Sequence, residues 1–488
     1  MRKAFSNQQR LDCRGVLGVQ LNLECRDEIV PILRALQQVY SRPELRDQIL
    51  DLIAQDVNRD TRDDAGREGL GYWQILVLAA VRLGCNLDYD KLQDLAEQHR
   101  TLRHIMGIGD WRDESGFGWR RIRDNLCRLQ PTTIEKISHS IVAEGHRLQP
   151  AAAKQVRADS FVLETNIHWP TESTLIRDGV RKVVELCVLM ASTLCLPGWR
   201  QSEHVLKKVK QHSRNIERIS SRKGPQYQER LKQEYRRLLK RSGKITRRAQ
   251  QLLQQAEAIP AVAAHAQVAA LRVFLERTEQ VRDTARRRVL KGEHVPNGEK
   301  LFSLFEPHTQ LYKRGKAGAP VQFGRLAMIY EDAAGFITHS YLLGREEQDR
   351  DVVVPQTRIL QERLKGVVEE ASFDRGFHSP ENQRDLAEII ARPCLLKPGA
   401  KQSAAQAQQA SVSFRRARQR HAGVESAIGA LQAGNGLERS RDRSERGLER
   451  YLALGILGRN LHVLGKLLIA QEASQCEAAR SQRQKSAA

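Results

Sequence analysis

Three carboxylates in this chain stand where hard oxygen ligands would be useful. Asp159 lies inside the apolar run "QVRADSFVLE", Asp374 ends "EASFD", and Glu425 borders the apolar stripe of "SFRRARQRHAGVESAIGALQ". Carboxylate oxygens suit Mg²⁺ or Mn²⁺. Three that converge can hold two such ions about 4 Å apart, as in-line displacement at a phosphodiester requires: one ion activates the attacking oxygen and the other stabilises the leaving one. The chain has 58 acidic residues, enough for many accidental triples, so spacing alone does not single this one out.

Polar and basic residues cluster near these acids. "ETNIHWPTES" sets Glu164, Asn166 and His168 at alternate positions. On a strand they would share a face, either orienting a metal-bound water or a DNA end, or satisfying neighbouring backbone. Arg375 and His378 flank Asp374 and can meet phosphate, and "YKRGK" brings Lys313, Arg314 and Lys316 to a loop. Arg418 precedes Glu425, and in "GLERSRDRSERGLER" Arg439, Arg441 and Arg443 alternate, as suits an extended segment along a phosphate chain or a salt-laced loop. Trp169 can stack on an unpaired base or serve as a packing residue.

The elements that must position these groups are legible in outline. A strand is expected around Asp159 from about residue 155, and a hairpin from "VQFGRLAMIY" and "GFITHSYLLG" across "EDAAG". A helix over 349–366, a strand ending at Asp374, a helix capped by Ser379 with Pro380 at its first position, and a short strand "RPCLLKP" follow. Strand, hairpin, helix, strand, helix, strand and helix suggest an α/β class: a mixed sheet covered by helices. Residues 1–150 read as helices, a DNA-binding or dimer-forming module or a plain bundle. The region 175–298 reads as a basic helical insertion, shaped as a hairpin and suited to grip a DNA backbone, with a coiled-coil dimer contact as the rival reading, and 151–174 with 299–470 read as the core. The polar residues 471–488 read as a frayed, disordered tail.

Charge points to a polyanionic partner. Lysine and arginine number 80 against 58 acids, a formal +22; nucleic acid is the first candidate and an anionic membrane surface the second. From Lys207 to Arg248 there are sixteen basic residues and three glutamates, a local +13. The eight cysteines show no C-x-x-C pair or zinc spacing, as expected of reduced thiols. The longest apolar run, read as "YWQILVLAAV", is too short to span a bilayer, so a soluble, cytoplasmic protein is expected.

The segments "RADSFVLETNIHWPTES", "LFSLFEPHTQLYKRGKAG", "FGRLAMIYEDAAGFITH", "ASFDRGFHSPEN" and "RHAGVESAIGALQAGNGLERSRDRSERGLERYLALGILGRNL" resemble the DDE transposases of bacterial insertion sequences, of the IS4/IS5-like superfamily and its unclassified relatives. "GLGYWQILVLAAVRLGCNLDYDKLQDLAEQHRTLRHIMG" resembles the helical domain preceding their catalytic core. The resemblance implies a ribonuclease H-like core with Asp159 on the first strand, Asp374 after the fourth, and Glu425 on a late helix. It further implies two Mg²⁺ or Mn²⁺ ions, cleavage and strand transfer on double-stranded DNA at element ends, at least a homodimer on DNA, and association with the bacterial nucleoid. A nuclease or resolvase on the same core, or a catalytically inactive DNA-binding protein, are the alternatives. In part of the superfamily the Glu lies in a Y-x2-R-x3-E-x6-K pattern; here Arg418, His421 and Gln432 occupy the other positions. The long insertion follows the first strand rather than separating the second Asp from the Glu.

Overall fold

The structure is a computed structural model that describes residues 3–5, 11–59, 69–111, 117–259, 265–313, 320–399, 401–402, 406 and 410–487, without the side chains of 480, 481 and 483–487. It divides into two compact units, Met1–Asn166 with Arg325–Ala488, and Ile167–Gly324.

The first unit opens with helices α1 (Ile29–Ser41), α2 (Pro43–Asn58), α3 (Tyr72–Gly84), α4 (Tyr89–Gln98), α5 (Arg100–Ile105), α6 (Trp119–Leu126) and α7 (Pro131–Leu148). Helix α3, "YWQILVLAAVRLG", buries nearly every side chain, as a helix apolar on all sides must. Even Arg82 is inside, its guanidinium bidentate on Asp442 (2.5 and 3.2 Å) and stacked 4.0 Å from the Tyr89 ring. The described residues of 1–150 are mainly helical as expected, and they fall in one compact unit with the sheet. Their apolar faces share one core with Phe161, Leu163, Ala327 and Ile329 of the sheet and with the last helix.

That last helix, α16 (Glu445–Ala487), follows α12 (Asp349–Arg363), α13 (Pro380–Ile389), α14 (Val412–His421) and α15 (Val424–Gly429). Among the described residues it alone is long and apolar enough to cross a membrane, yet 72% of its apolar window is buried against the rest of the chain, which makes it a core helix. Close approach to α3 is set by glycine: a Cβ on Gly458 would stand 2.5 Å from the Gly84 nitrogen. The helix also continues through 471–487, where a disordered tail was expected. That stretch has no glycine or proline and is rich in Ala, Gln, Glu, Arg and Lys, which propagate a helix already nucleated by packing.

The sheet contains β1 (Gln155–Glu164), β2 (Gln310–Tyr312), β3 (Gln322–Asp332), β4 (Ile337–Leu342), β5 (Glu370–Phe373) and β6 (Arg392–Leu395). The order is β2-β3-β1-β5-β6, with β4 also on β3. β1 and β5 pair in parallel, as do β5 and β6, while β3 is antiparallel to β2 and to β4. The β3–β4 hairpin, α12, α13 with its Ser379 cap, and β6 form where the sequence patterns place them. Strand β2 is an addition.

The second unit is a helical bundle of α8 (Glu172–Thr193), α9 (Ser202–Arg222), α10 (Tyr227–Glu257) and α11 (His265–Ala285). Expected as an insertion over 175–298, it begins at Ile167 and closes at Gly324. The four helices bury Val183, Met190, Val209, Leu238, Ala249 and Leu271 in a core of their own. The apolar stripe of α10 is therefore spent inside the bundle, and a coiled-coil contact through it is replaced by packing within the chain.

Candidate functional site

Strand register places the first two acids side by side. The last paired residues of β1 and β5 are Ala158 and Phe373, so Asp159 and Asp374 are the next residue on each of two neighbouring parallel strands. Such strands run about 4.8 Å apart. Asp374 keeps extended backbone (φ −73°, ψ 168°), so the pleat alternation of β5 carries on through it.

Alternation also decides the face. On β5, Glu370 pairs with Arg420 and the Ser372 hydroxyl is 3.2 Å from Nδ1 of His421, both on α14, whereas Phe373 turns to the opposite face and meets Tyr330 edge-on. Asp374 therefore shares the α14 side with Glu370 and Ser372. On β1, Arg157 reaches the same side, donating from Nη1 to the Arg420 carbonyl at 2.9 Å and from Nε to Glu331 at 2.5 Å; Asp159, two residues on, follows it.

Glu425 arrives over this face by a break in the covering helix. Ala422 and Gly423 separate α14 from α15, and a Cβ on Gly423 would stand 2.1 Å from Nη1 of Arg157. Glu425 is then in the first turn of α15 and exposed. His421 feels two of these acids: burial lowers its pKa first, while the charges of Asp374 and then Glu425 act to raise it and Arg157 opposes them.

Asp159 and Asp374 thus share one face of the sheet, and Glu425 lies on α15, a helix that packs on β1. Asp159 is half-buried, with Oδ1 accepting from the Ser160 amide at 2.7 Å, and Asp374 is exposed. Their oxygens are the hard donors a divalent magnesium or manganese ion takes. Among the described residues, however, no group of three or more His, Cys, Asp or Glu side chains is arranged so that it could hold a metal ion. The fit is one of donor type and of position in the fold.

The remaining sequence candidates disperse. β1 ends at Glu164, so Asn166 and His168 do not extend its alternating face. Glu164 is engaged in the frame: its backbone bonds to Glu438 and Ser440, and its carboxylate accepts from Arg439 at 2.8 Å. Arg441 donates to the carbonyl and side chain of Asn86. Asn166 is exposed; His168 lies 3.3 Å from Asp178; Trp169, 65% exposed, meets Phe323 edge-on at 5.2 Å. Arg375 is exposed beside Asp374, and the half-buried His378 leaves Nε2 without a hydrogen-bond partner among the described residues. Arg418 is half-buried on α14, and Arg314 and Lys316 lie outside the described residues.

Arg157 and Ser372 escaped the sequence reading, and His421 entered it only as a pattern position. Each had a signal of spacing: Arg157 and Ser372 lie two residues before Asp159 and Asp374 on strands, and His421 four before Glu425 on helical sequence. The His421 ring is buried, with Nδ1 at 3.2 Å from the Ser372 hydroxyl. All eight cysteines are free thiols. Neither a family model, nor a curated protein, nor a solved structure matches the chain.

Proposed function

We propose that the chain is a DDE-type transposase with a ribonuclease H-like core, cleaving and joining DNA at the ends of a mobile element. The neighbouring positions of Asp159 and Asp374 on one sheet face, beneath the helix break that carries Glu425, support this reading most directly. Strand order agrees with it: with β2 set aside, the sequence β4-β3-β1-β5-β6 puts the first acid on the central strand and the second after the fourth strand in chain order.

In this reading Asp159, Asp374 and Glu425 would hold two Mg²⁺ or Mn²⁺ ions. When bound, such ions activate the attacking water or 3′-hydroxyl and stabilise the leaving oxygen. The protein's part is positional. Arg157, fastened to Glu331 and to the Arg420 carbonyl, ties β1 to the covering helices, and Arg375 and His378 are placed to meet the phosphates next to the scissile one. Double-stranded DNA is the partner, at least two protomers act on paired ends, and the nucleoid is the place of action.

The test is cleavage and strand transfer on an end-containing duplex with Mg²⁺, comparing wild type with Asp159→Asn, Asp374→Asn and Glu425→Gln. Each substitution is expected to abolish both activities and to leave duplex binding intact. Hydrolysis without joining would make the protein a nuclease on this core. The second reading is a DNA-binding protein without catalysis; wild type that binds duplex but neither cuts nor joins would establish it.

A further inference from the structure

In the second unit, α9 and α10 carry the basic window on their solvent side. Of its sixteen cations, Lys232 and Arg237 form ion pairs, with Glu229 and Glu234. Where α10 passes the loop between α8 and α9, a cavity of about 510 Å³ opens, lined by Trp199, His212, Arg237, Lys240, Arg241, Lys244 and Arg248 with no acidic residue among its walls.

This cavity differs from an ordinary solvated charge run in one respect: part of its lining is held in place. Arg248 lies 4.9 Å from the ring of Trp199, which is only 7% exposed. A Cβ on Gly198 would stand 2.9 Å from Nη2 of Arg248, so the loop backbone presses against the guanidinium. The loop has an unusual shape, with positive φ at Cys195 (50°), Gly198 (112°) and Trp199 (62°), conformations that persist in non-glycine residues only where the surroundings impose them. A cation fixed beforehand loses less freedom when it meets an anion.

We propose that this cavity and the adjoining face of α10 form a seat for the sugar–phosphate backbone of duplex DNA. The proposal rests on the reading of DNA as the partner. From Arg237 to Arg248 the cations recur with every helical turn along a line of about 16 Å; a DNA strand presents one phosphate per about 3.4 Å of axis, so four or five phosphates can lie opposite. An anionic membrane surface suits this face less well, because the apolar side of α10 is buried in the bundle and leaves no hydrophobic stripe to insert.

The experiment measures binding of the full chain to a short labelled duplex of arbitrary sequence, in EDTA so that no cleavage occurs, over a series of salt concentrations. The combined substitution Lys240→Gln, Arg241→Gln and Lys244→Gln is compared with Lys136→Gln, Arg358→Gln and Lys365→Gln, which removes the same charge elsewhere. Circular dichroism melts confirm that both variants fold. Each lost phosphate contact lowers the slope of log affinity against log salt by about 0.9, so the first variant should lose about 2 to 3 units of slope and the control almost none. Equal losses in both variants would overturn the proposal, as would an unchanged slope in the first. So would loss of binding to phosphatidylserine vesicles with duplex binding intact. Because neither metal nor end sequence is involved, a lowered slope in a protein that never cuts DNA would keep the seat and discard the transposase.

Discussion

Two carboxylates on adjacent strands repel one another until something positive lies between them, and that repulsion can be measured without knowing the DNA substrate. Asp159 and Asp374 occupy neighbouring positions on β1 and β5. At a separation on the order of 5 Å, two like charges cost about 1 kcal/mol in water and about 3 kcal/mol at a dielectric constant near 20. Asp374 is exposed, so solvent screening puts the cost near the lower figure. Asp374→Asn should therefore stabilise the metal-free protein by about 1 kcal/mol, a rise in melting temperature of about 2 °C for a unit of this size. Added Mg²⁺ should stabilise wild type through mass action, by about 2.7 kcal/mol at a hundredfold excess over its dissociation constant, and the variant far less. The assay is a thermal melt of both proteins in EDTA and across a Mg²⁺ titration. A variant that melts below wild type in EDTA, or one with an undiminished response to Mg²⁺, would refute the convergence of these two acids.

Three further outcomes follow from the packing. Burial, and next the charge of Arg363, lower the pKa of His139 to about 3 and of His339 to about 4. The unfolded chain therefore takes up protons first, and stability should fall as pH drops from about 6.5 toward 4, by about 2 to 3 kcal/mol for His339 at pH 4.5; urea midpoints at pH 7 and 4.5 check this, and His339→Gln should flatten the dependence. Arg82→Met leaves Asp442 buried without its bidentate partner and should cost about 3 to 5 kcal/mol, with Asp442→Asn in the same chain recovering part of the loss in chemical denaturation. Gly458→Ala drives a methyl into the Gly84 backbone and should destabilise by about 1 to 3 kcal/mol, whereas Gly429→Ala, with open space around its Cβ, should stabilise α15 by up to about 1 kcal/mol; paired melts separate the signs.

What the sequence made legible follows the range of the physics involved. Ser379 capping α13 by accepting from the Asn382 amide, the hairpin of β3 and β4, and the termination of β5 before Asp374 depend on residues within a few positions of one another. Strand β2 has three residues, too few to show a period. The membership of α1, α3 and α7 in the same core as the sheet was hidden because an apolar helix face does not record what covers it. The same blindness affected α10, whose buried stripe could equally have met a second chain. For Arg439 and Arg441 the sequence left a phosphate chain and a salt-laced loop equally open, because their partners, Glu164 and Asn86, are hundreds of residues away.

The candidate site depends on the longest of these ranges. Asp159 and Asp374 are 215 residues apart in the chain and one strand apart in the sheet. The unit Ile167–Gly324 accounts for most of that separation. A disordered loop of such length would add to the entropic cost of pairing β1 with β5. A segment that buries Val183, Leu238 and Leu271 in a core of its own offsets its own ordering and leaves the closing of the sheet to local contacts. Those contacts are visible where the acids meet: Arg157 of β1 holds Glu331 of β3 and the Arg420 carbonyl of α14, and Arg420 in turn holds Glu370 of β5. This chain of ion pairs and hydrogen bonds crosses three strands and the covering helix just before Asp159, Asp374 and Glu425 appear. The register that makes the two aspartates neighbours is thus locked one turn of the pleat away from them, by partners that leave the Asp374 and Glu425 side chains exposed.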